Sequence, residues 1–507
     1  MSIFTSRSYA DYFRFLMVGI LGVAAIFLVA VTLHWPLQKD AQVIHYVNFL
    51  MDHGFAPYRN ITDMNMPGAY LIEGWGMHVF GGGDVAWRVY DFALMGSLCA
   101  AMVVIAWPYD WVAGLFAGVM FALVHTMDGP GNTGERDEVM AVLIVVGYAF
   151  LFEALRRKKP WLMALFGLSL GMAGAVKPTV APLEIALLVM AWWTLRKRGE
   201  ATAAYVWSGI AGASIAVAIF FGFLFRYHAL SAFVDISRRL TPYYAGLNHS
   251  SFKWLLRTCL AAAVKLMLPF GLLVSLVNRQ WKNWERWAIL LGVAFGMVSF
   301  FVQGKGYSHH RYPLNALILL WLAIELTTAM QKRGWVRAVG FAGMAVGTFV
   351  IVPWHSRQIL SVHPVNEYTE SIESDLTRLG VDQLQGKVQC FDLVHGCLNA
   401  LYHLKLVQST GSTGDLLLFA PVQTTVTQYY RNQFWGDLSR NPPSVIVMSN
   451  EWWITGADSF AKINAWPQFA EYLEGNYSLA VSREFDGENQ EAYRIYIRKG
   501  IVLPPLG

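Results

Sequence analysis

Charge is what this 507-residue chain has least of. Asp, Glu, Lys and Arg make up 14% of it, against about 25% in an ordinary soluble domain, which excludes a single water-exposed globule. Cysteine is nearly as scarce, with 4 in all. Cys99 and Cys259 fall inside apolar runs, which leaves Cys390 and Cys397 as the candidate pair. Their compartment permits oxidation, but a strand leading into a helix is poor geometry for a bridge, and free buried thiols are the expectation. There is no internal repeat and no low-complexity tract. A cleavable leader is also missing: the first apolar run, 13–33, is too long for a signal core, and no small-residue cleavage site follows it. The net charge of +5 is accounted for by residues flanking the apolar runs and implies no nucleic-acid partner.

What the chain has is apolar surface, 55% hydrophobic residues and a mean hydropathy of +0.39. It is unevenly spread. Through residue 354 the charges gather at the ends of apolar runs, whereas 355–507 has the mixed polarity of a water-soluble fold. The reading is a mainly α polytopic transmembrane helix bundle over 1–354, followed by a small α/β extracytoplasmic domain over 355–507. About eleven runs are long enough to cross a bilayer core of about 30 Å: 13–33, 84–106, 111–127, 138–155, 161–176, 178–195, 205–226, 258–277, 287–303, 313–330 and 335–353.

Basic clusters set the direction. Arg156-Arg157-Lys158-Lys159, Arg196-Lys197-Arg198, Arg279 with Lys282 and Arg286, and Lys332-Arg333 with Arg337 lie in alternate short loops, and Arg7 and Arg14 precede the first run. The positive-inside tendency makes these cytoplasmic. The N-terminus is then cytoplasmic, and the segments after Asp40, at 134–138 and at 304–312 face outward with the C-terminal domain. One outer segment, 226–257, carries Arg226, Arg238, Arg239, Lys253 and Arg257 against Asp235 alone. It reads as a solvated loop with snorkelling side chains, or as a site for anionic lipid head groups.

The first outward segment is built for more than anchoring. Asp40 ends Trp35-Pro36-Leu37-Gln38-Lys39-Asp40, just past the first span. Ile44, Val47 and Leu50/Met51 follow at helical spacing, with Gly54 as a stop, which predicts a helix lying in the membrane interface. Two prolines in 55–70 predict an extended loop, and a second apolar stretch, 69–80, ends at Gly81-Gly82-Gly83.

These elements together resemble the GT-C glycosyltransferases. The likeness rests on the acid after the first span, the turn Gly54-Phe55-Ala56-Pro57-Tyr58, and the element from Asp63 to Pro67-Gly68-Ala69-Tyr70. Gly134-Glu135-Arg136-Asp137-Glu138 is similar to that family's acidic second outer loop. Gly167-Leu168-Ser169-Leu170-Gly171 running to Lys177-Pro178 is similar to its Gly-rich span. The nearest branch holds the dolichyl-phosphate-mannose protein mannosyltransferases and the lipid A aminoarabinose transferases. Two departures keep substrate identity open: Ala41 stands where relatives often have a second acid, and Asn65-Met66 stands where the aminoarabinose branch has a Lys.

The resemblance implies transfer of a sugar from a polyprenyl-phosphate donor to a glycan, lipid or protein acceptor at the outer face of a bacterial inner membrane, with inversion. Phosphate leaves readily, so such chemistry needs one base for the acceptor and cations for the phosphate, not the paired carboxylates of glycoside hydrolysis. Asp40 is the candidate base, with a solvated loop acid as the plainer alternative. The candidate cations are Arg88, Arg136, Lys177, Lys305 and Arg311. For Arg88, flanked by Asp84 and Asp91 on one helix face, a structural ion-pair stripe is the competing role. Glu135 and Asp137 are second-loop acids, or acids favoured by a helix N-terminus.

His309 and His310 sit in Gly304-Lys305-Gly306-Tyr307-Ser308-His309-His310-Arg311 as polar partners of a phosphate, or as an interface-anchoring loop. Adjacent histidines also leave a divalent metal open as a cofactor. Glu184 and Lys265 lie roughly 10 Å deep in their spans by helical rise; such groups pair or line a polar cavity.

In 355–507 the pattern predicts helices at 368–379, 398–406 and 468–474. It predicts strands at 388–393, 444–448, 479–485 and 492–498, the last two separated at Gly487. No nucleotide fingerprint or nucleophile motif occurs there. Asn450-Glu451-Trp452-Trp453 follows a strand end, where it is placed to bind a ligand or to pack on the membrane domain. A transporter or flippase would show paired broken helices or symmetry between halves, and neither is evident; a non-catalytic membrane scaffold is the third reading.

Overall fold

The computed structural model describes residues 9–278, 282–361, 366–456, 458–485 and 491–504. Arg7, Arg279 and Gly487 lie outside the described residues. The apolar runs are helices. Among the described residues 8 helices have the length and apolar character to cross a membrane. A further pair, Phe252–Thr258 and Ala262–Asn278, is bent by 76°, and Trp111–Met127 and Leu162–Val176 are shorter apolar helices. Together these account for the eleven runs.

The helix Tyr312–Met330 is apolar on every side and correspondingly buried on nearly every side, as befits the centre of a bundle. Close crossings are made where side chains vanish. The helix Leu162–Val176 meets Ala203–Arg226 so tightly that a Cβ on Gly167 would run into the Gly209 carbonyl, and one on Gly212 into that of Ala164. This is the physical reason for glycines in that span.

Helix direction sorts the polar residues onto two ends. Arg136–Arg156 starts at one end of the bundle and finishes at the other, where Arg156 pairs with Glu285 at 2.7 Å. Arg286 pairs with Glu325 near that second end. Asp40, Asn65, 134–138, Lys177, Gln303 and 304–311 all belong to the first end.

The C-terminal part is α/β. Strands β1 (Val388–Phe391), β2 (Val445–Ser449), β3 (Tyr477–Glu484) and β4 (Ala492–Arg498) form one sheet in the order β1-β2-β4-β3. The β1–β2 pair is parallel and the other two pairs are antiparallel. All four strands and the helices Glu367–Arg378, Cys397–His403 and Pro467–Asn476 match the predicted elements to within a few residues.

Three features differ from the sequence reading. Cys390 and Cys397 are joined by a disulfide, because the chain turns sharply after β1 and brings their Cα atoms to 6.1 Å. The segment 226–257 is no loop: Leu230–Ala245 is a helix that buries Ile236 and Leu240, followed by Phe252–Thr258. Thr425–Arg440 is also a helix, opened by a capping box between Thr424 and Thr427. Its buried side, Thr427, Tyr430, Arg431, Phe434 and Leu438, mixes polar and aromatic residues and hides its period.

The short helix Lys39–Asp52 is buried on most of its surface, not on one stripe. Ile44, Tyr46, Val47 and Leu50 share a hydrophobic cluster with Tyr368, Ile372, Leu398 and Leu401. The Tyr46 hydroxyl donates to the Leu406 carbonyl at 2.9 Å and accepts from the Gln408 N–H at 3.0 Å. Thr62 N–H donates to the Gly411 carbonyl at 3.2 Å. The α/β part therefore lies directly on the first loop.

Candidate active site

Asp40 occupies the first turn of Lys39–Asp52, where a helix N-terminus favours negative charge. Its Oδ2 accepts from Arg136 Nη2 at 2.5 Å. The other guanidinium nitrogen, Nη1, donates to Asn65 Oδ1. Asn65 is itself fixed: its Nδ2 donates to Asp63 at 2.8 Å, and its carbonyl accepts from the Tyr58 hydroxyl at 2.5 Å. Tyr70 donates to the same Asp63 carboxylate at 2.6 Å. The loop 58–70 is thus a hydrogen-bonded frame with Arg136 as its output. The Asp40 side chain remains 38% exposed, so it can meet a substrate.

Beside this pair lies a second one. Glu135 caps Arg136–Arg156 by accepting from the Arg136 N–H at 3.1 Å. Asp137, one residue into the helix, takes the Lys177 ammonium on both oxygens, at 2.7 and 2.6 Å, and Lys177 also donates to Gln303 Oε1 at 2.8 Å. His309 and His310 approach Asp137 so that one atom from each of the three lies within 4.8 Å of the others. His309 Nδ1 is further held at 3.0 Å from Asn132 Oδ1. These residues are a metal-ligand set by type. Lys177, however, already supplies the cation that Asp137 needs, so the donor set fits an ammonium better than a metal ion.

The extramembrane acids are strongly perturbed. Burial, followed by the Asp40 charge, pushes the Glu135 carboxyl up to about 8. Glu73, 4% exposed on the helix Pro67–Phe80, is raised well above the usual carboxylate range by burial and then by Glu135. Burial lowers the Lys177 ammonium, which Asp137 only partly offsets. Tyr244 is pushed up to about 12, first by burial and then by Asp40. Glu135 and Glu73, the two raised acids, are thereby biased toward their protonated forms beside the Asp40–Arg136 pair.

The other predicted residues are placed differently. Arg88 is fully buried, donating to Asp91 at 2.5 Å and to the Thr32 carbonyl and hydroxyl at 3.0 and 2.6 Å. Its donors are consumed inside the bundle, which corrects the expectation of phosphate contact and favours the structural ion pair. Lys305 donates to the carbonyls of Tyr244, at 2.9 Å, and Leu247, closing the end of Leu230–Ala245. Arg311 pairs with Asp128 at 2.7 Å and donates to the Thr258 carbonyl at 3.2 Å. Among the described residues Glu184 and Lys265 form no ion pair with each other; the Lys265 ammonium donates to the Arg257 carbonyl. They do not join the cluster.

Sequence reasoning missed Asn65, Glu73, Gln303 and Tyr244. In sequence Asn65 stands out only as a departure from the lysine of the aminoarabinose branch. Glu73 offered a signal, an acid inside the apolar stretch 69–80.

A helix bundle with an α/β part seated on its first loop is a GT-C-like fold. The protein is a multi-pass membrane protein. No family model matches the chain, and no curated protein matches it in sequence. Solved structures are similar in fold. ArnT from Cupriavidus metallidurans bound to undecaprenyl phosphate aligns with a TM-score of 0.55 at 13% identity, over 94% of this chain and 97% of that one. Its apo form gives 0.54 at 12% identity, over 95% and 97%. The Archaeoglobus fulgidus oligosaccharyltransferase tethered to an acceptor peptide containing the NVT sequon gives 0.53 at 11% identity, over 94% and 74%.

Proposed function

We propose that this protein is a glycosyltransferase that moves a sugar from a polyprenyl-phosphate donor to an acceptor hydroxyl or amine, on the membrane face opposite its basic loops. The observation that carries the reading is the Asp40–Arg136 pair, standing beside Lys177 at the end of the bundle. Asp40 is the base. It takes the acceptor proton as the acceptor oxygen or nitrogen attacks the anomeric carbon and the bond to the phosphate oxygen breaks. Arg136 and Lys177 are the proposed phosphate cradle, since charge that develops on the leaving group is best met by donors already in place. Arg adds the planar two-point geometry that Lys lacks. A single displacement of this kind inverts the anomeric centre. Donor recognition by the lipid is supported by the undecaprenyl phosphate bound to the ArnT structure of like fold. The positive-inside pattern supports the outward placement of the site.

The test is transfer from radiolabelled polyprenyl-phosphate sugars by the full chain in mild detergent, compared with Asp40→Asn. A loss of about 10²–10⁴-fold is expected for removal of a general base. Undiminished transfer by the variant removes Asp40 from that role. A wild-type chain that transfers from none of the donors removes the reading as a whole.

A further inference from the structure

A second cluster lies outside the site just described, at the carboxyl ends of the parallel strands. Asp392 follows β1 and Glu451 follows β2 by two residues. His395 lies in the turn between them, and one ligand-capable atom from each of the three lies within 4.8 Å of the others. Both carboxylates are oriented from behind. Asp392 accepts from the N–H groups of His395, Gly396 and Cys397 at 3.0, 3.0 and 2.8 Å. Glu451 Oε2 accepts from those of Leu393 and Val394 at 3.0 and 3.1 Å. This is the outer shell that a ligating carboxylate needs.

Two buried polar atoms here have no hydrogen-bond partner among the described residues. One is Nδ1 of His395, whose side chain is 10% exposed; the other is the hydroxyl of Tyr368, which is 1% exposed, packs edge-on against His395 and has the Ser449 side chain nearby, outside hydrogen-bond geometry. The charges do not close either. Lys462 is spent on Asp415 at 2.5 Å and on the Glu451 carbonyl at 2.8 Å. Asp392 and Glu451 are left facing each other in a buried place, with Asp458 4.0 Å from His395 Nε2.

We propose that Asp392, His395 and Glu451 bind one divalent first-row metal ion, of the Zn²⁺ or Mn²⁺ type. One imidazole with two carboxylates is a donor set for such ions. The Cys390–Cys397 disulfide closes the loop 391–396 that carries two of the three ligands, so the loop is shaped before the ion arrives. The ion ties β1 to the segment after β2. That segment continues into Trp453, which stacks on Tyr244 with ring centroids 5.9 Å apart and planes 7° from parallel. The site is therefore an anchor for the contact between the α/β part and the catalytic end of the bundle. It does not depend on the transfer reaction.

The experiment is elemental analysis of the full chain, purified without chelator and dialysed against Zn²⁺ or Mn²⁺, with thermal unfolding measured alongside. One ion per chain is expected, lost in both Glu451→Gln and His395→Asn, with a lower melting temperature on chelation that the ion restores. His309→Ala with His310→Ala is expected to keep the ion. No uptake of either metal by the unmodified chain overturns the proposal. So does an ion retained in both C-terminal variants, or one lost only with His309 and His310.

Discussion

Arg136 binds Asp40 across 96 residues of sequence, Nη2 to Oδ2 at 2.5 Å. The same guanidinium donates to Asn65, so Asp40 and the loop frame are held by one planar group. Asn65→Ala removes one of its two anchors. A hydrogen bond to a charged group contributes roughly 1.5–3 kcal/mol, so kcat is expected to fall at least about tenfold. The KM for the donor is expected to change little, which steady-state kinetics with varied donor will show. An equal rise in KM with unchanged kcat would instead mean that Asn65 only helps to bind.

Two groups outside the spans with raised values, Glu135 and His403, act on stability in the same direction. Glu135 is held at about 8 against an ordinary 4.5 by burial and then Asp40. Its contribution is whole below 4.5 and lost as pH rises through about 8. Burial alone would lower His403, but hydrogen bonds to Asp84 and Glu373 prevail and hold its imidazole at about 9 against 6.5. Its contribution is whole below 6.5 and lost as pH rises through about 9. Melting temperature in detergent is therefore expected to decline between those limits. Glu135→Gln should flatten the lower part of the decline and His403→Asn the upper part. A decline unchanged in both variants refutes the assignment.

The glycine crossing can be tested by size. Gly167→Val places methyl groups against the Gly209 carbonyl, and overpacking of this kind costs about 1–3 kcal/mol. Gly174 lies on the same helix with nothing within 4 Å of an added Cβ. Gly174→Ala is expected to leave the melting temperature unchanged or slightly raised. Similar losses in both would show that the crossing is looser than described.

Tyr46→Phe keeps the ring and deletes the hydroxyl that joins Leu406 to Gln408. Each buried backbone group left without a partner costs about 1–3 kcal/mol. Limited proteolysis should then cut first near 404–413. Cutting at wild-type rates would mean that the seam is held by its apolar contacts alone.

Much of this was legible in the sequence. Run length and the spacing of apolar residues predicted the spans, the helix Lys39–Asp52 and every strand. Asp40 can be singled out in the sequence as an acid just past the first span, and the structure pairs it with Arg136. What could not be read were choices among partners. Arg88, Lys177 and Arg311 look alike in sequence as cations near a membrane boundary. Only packing shows that Thr32 and Asp91 consume the first and Asp128 the third, while Lys177 stays with Asp137 beside Asp40. Thr425–Arg440 is hard to read because its buried side includes Thr427, Tyr430 and Arg431, which periodicity does not count as apolar. Leu230–Ala245 does carry Phe233, Ile236 and Leu240 at helical spacing, interrupted by Asp235, Arg238 and Arg239.

Tyr46, in the first tenth of the chain, is completed by groups at Leu406 and Gln408. During synthesis those partners do not yet exist when the first loop leaves the ribosome. The loop must wait, with Ile44, Val47 and Leu50 uncovered, until about four-fifths of the polypeptide has been made and Leu406 and Gln408 have reached the same side. The frame that positions Asp40 is therefore among the last parts of the molecule to set, and a chain interrupted before residue 404 would carry every span but an uncovered first loop.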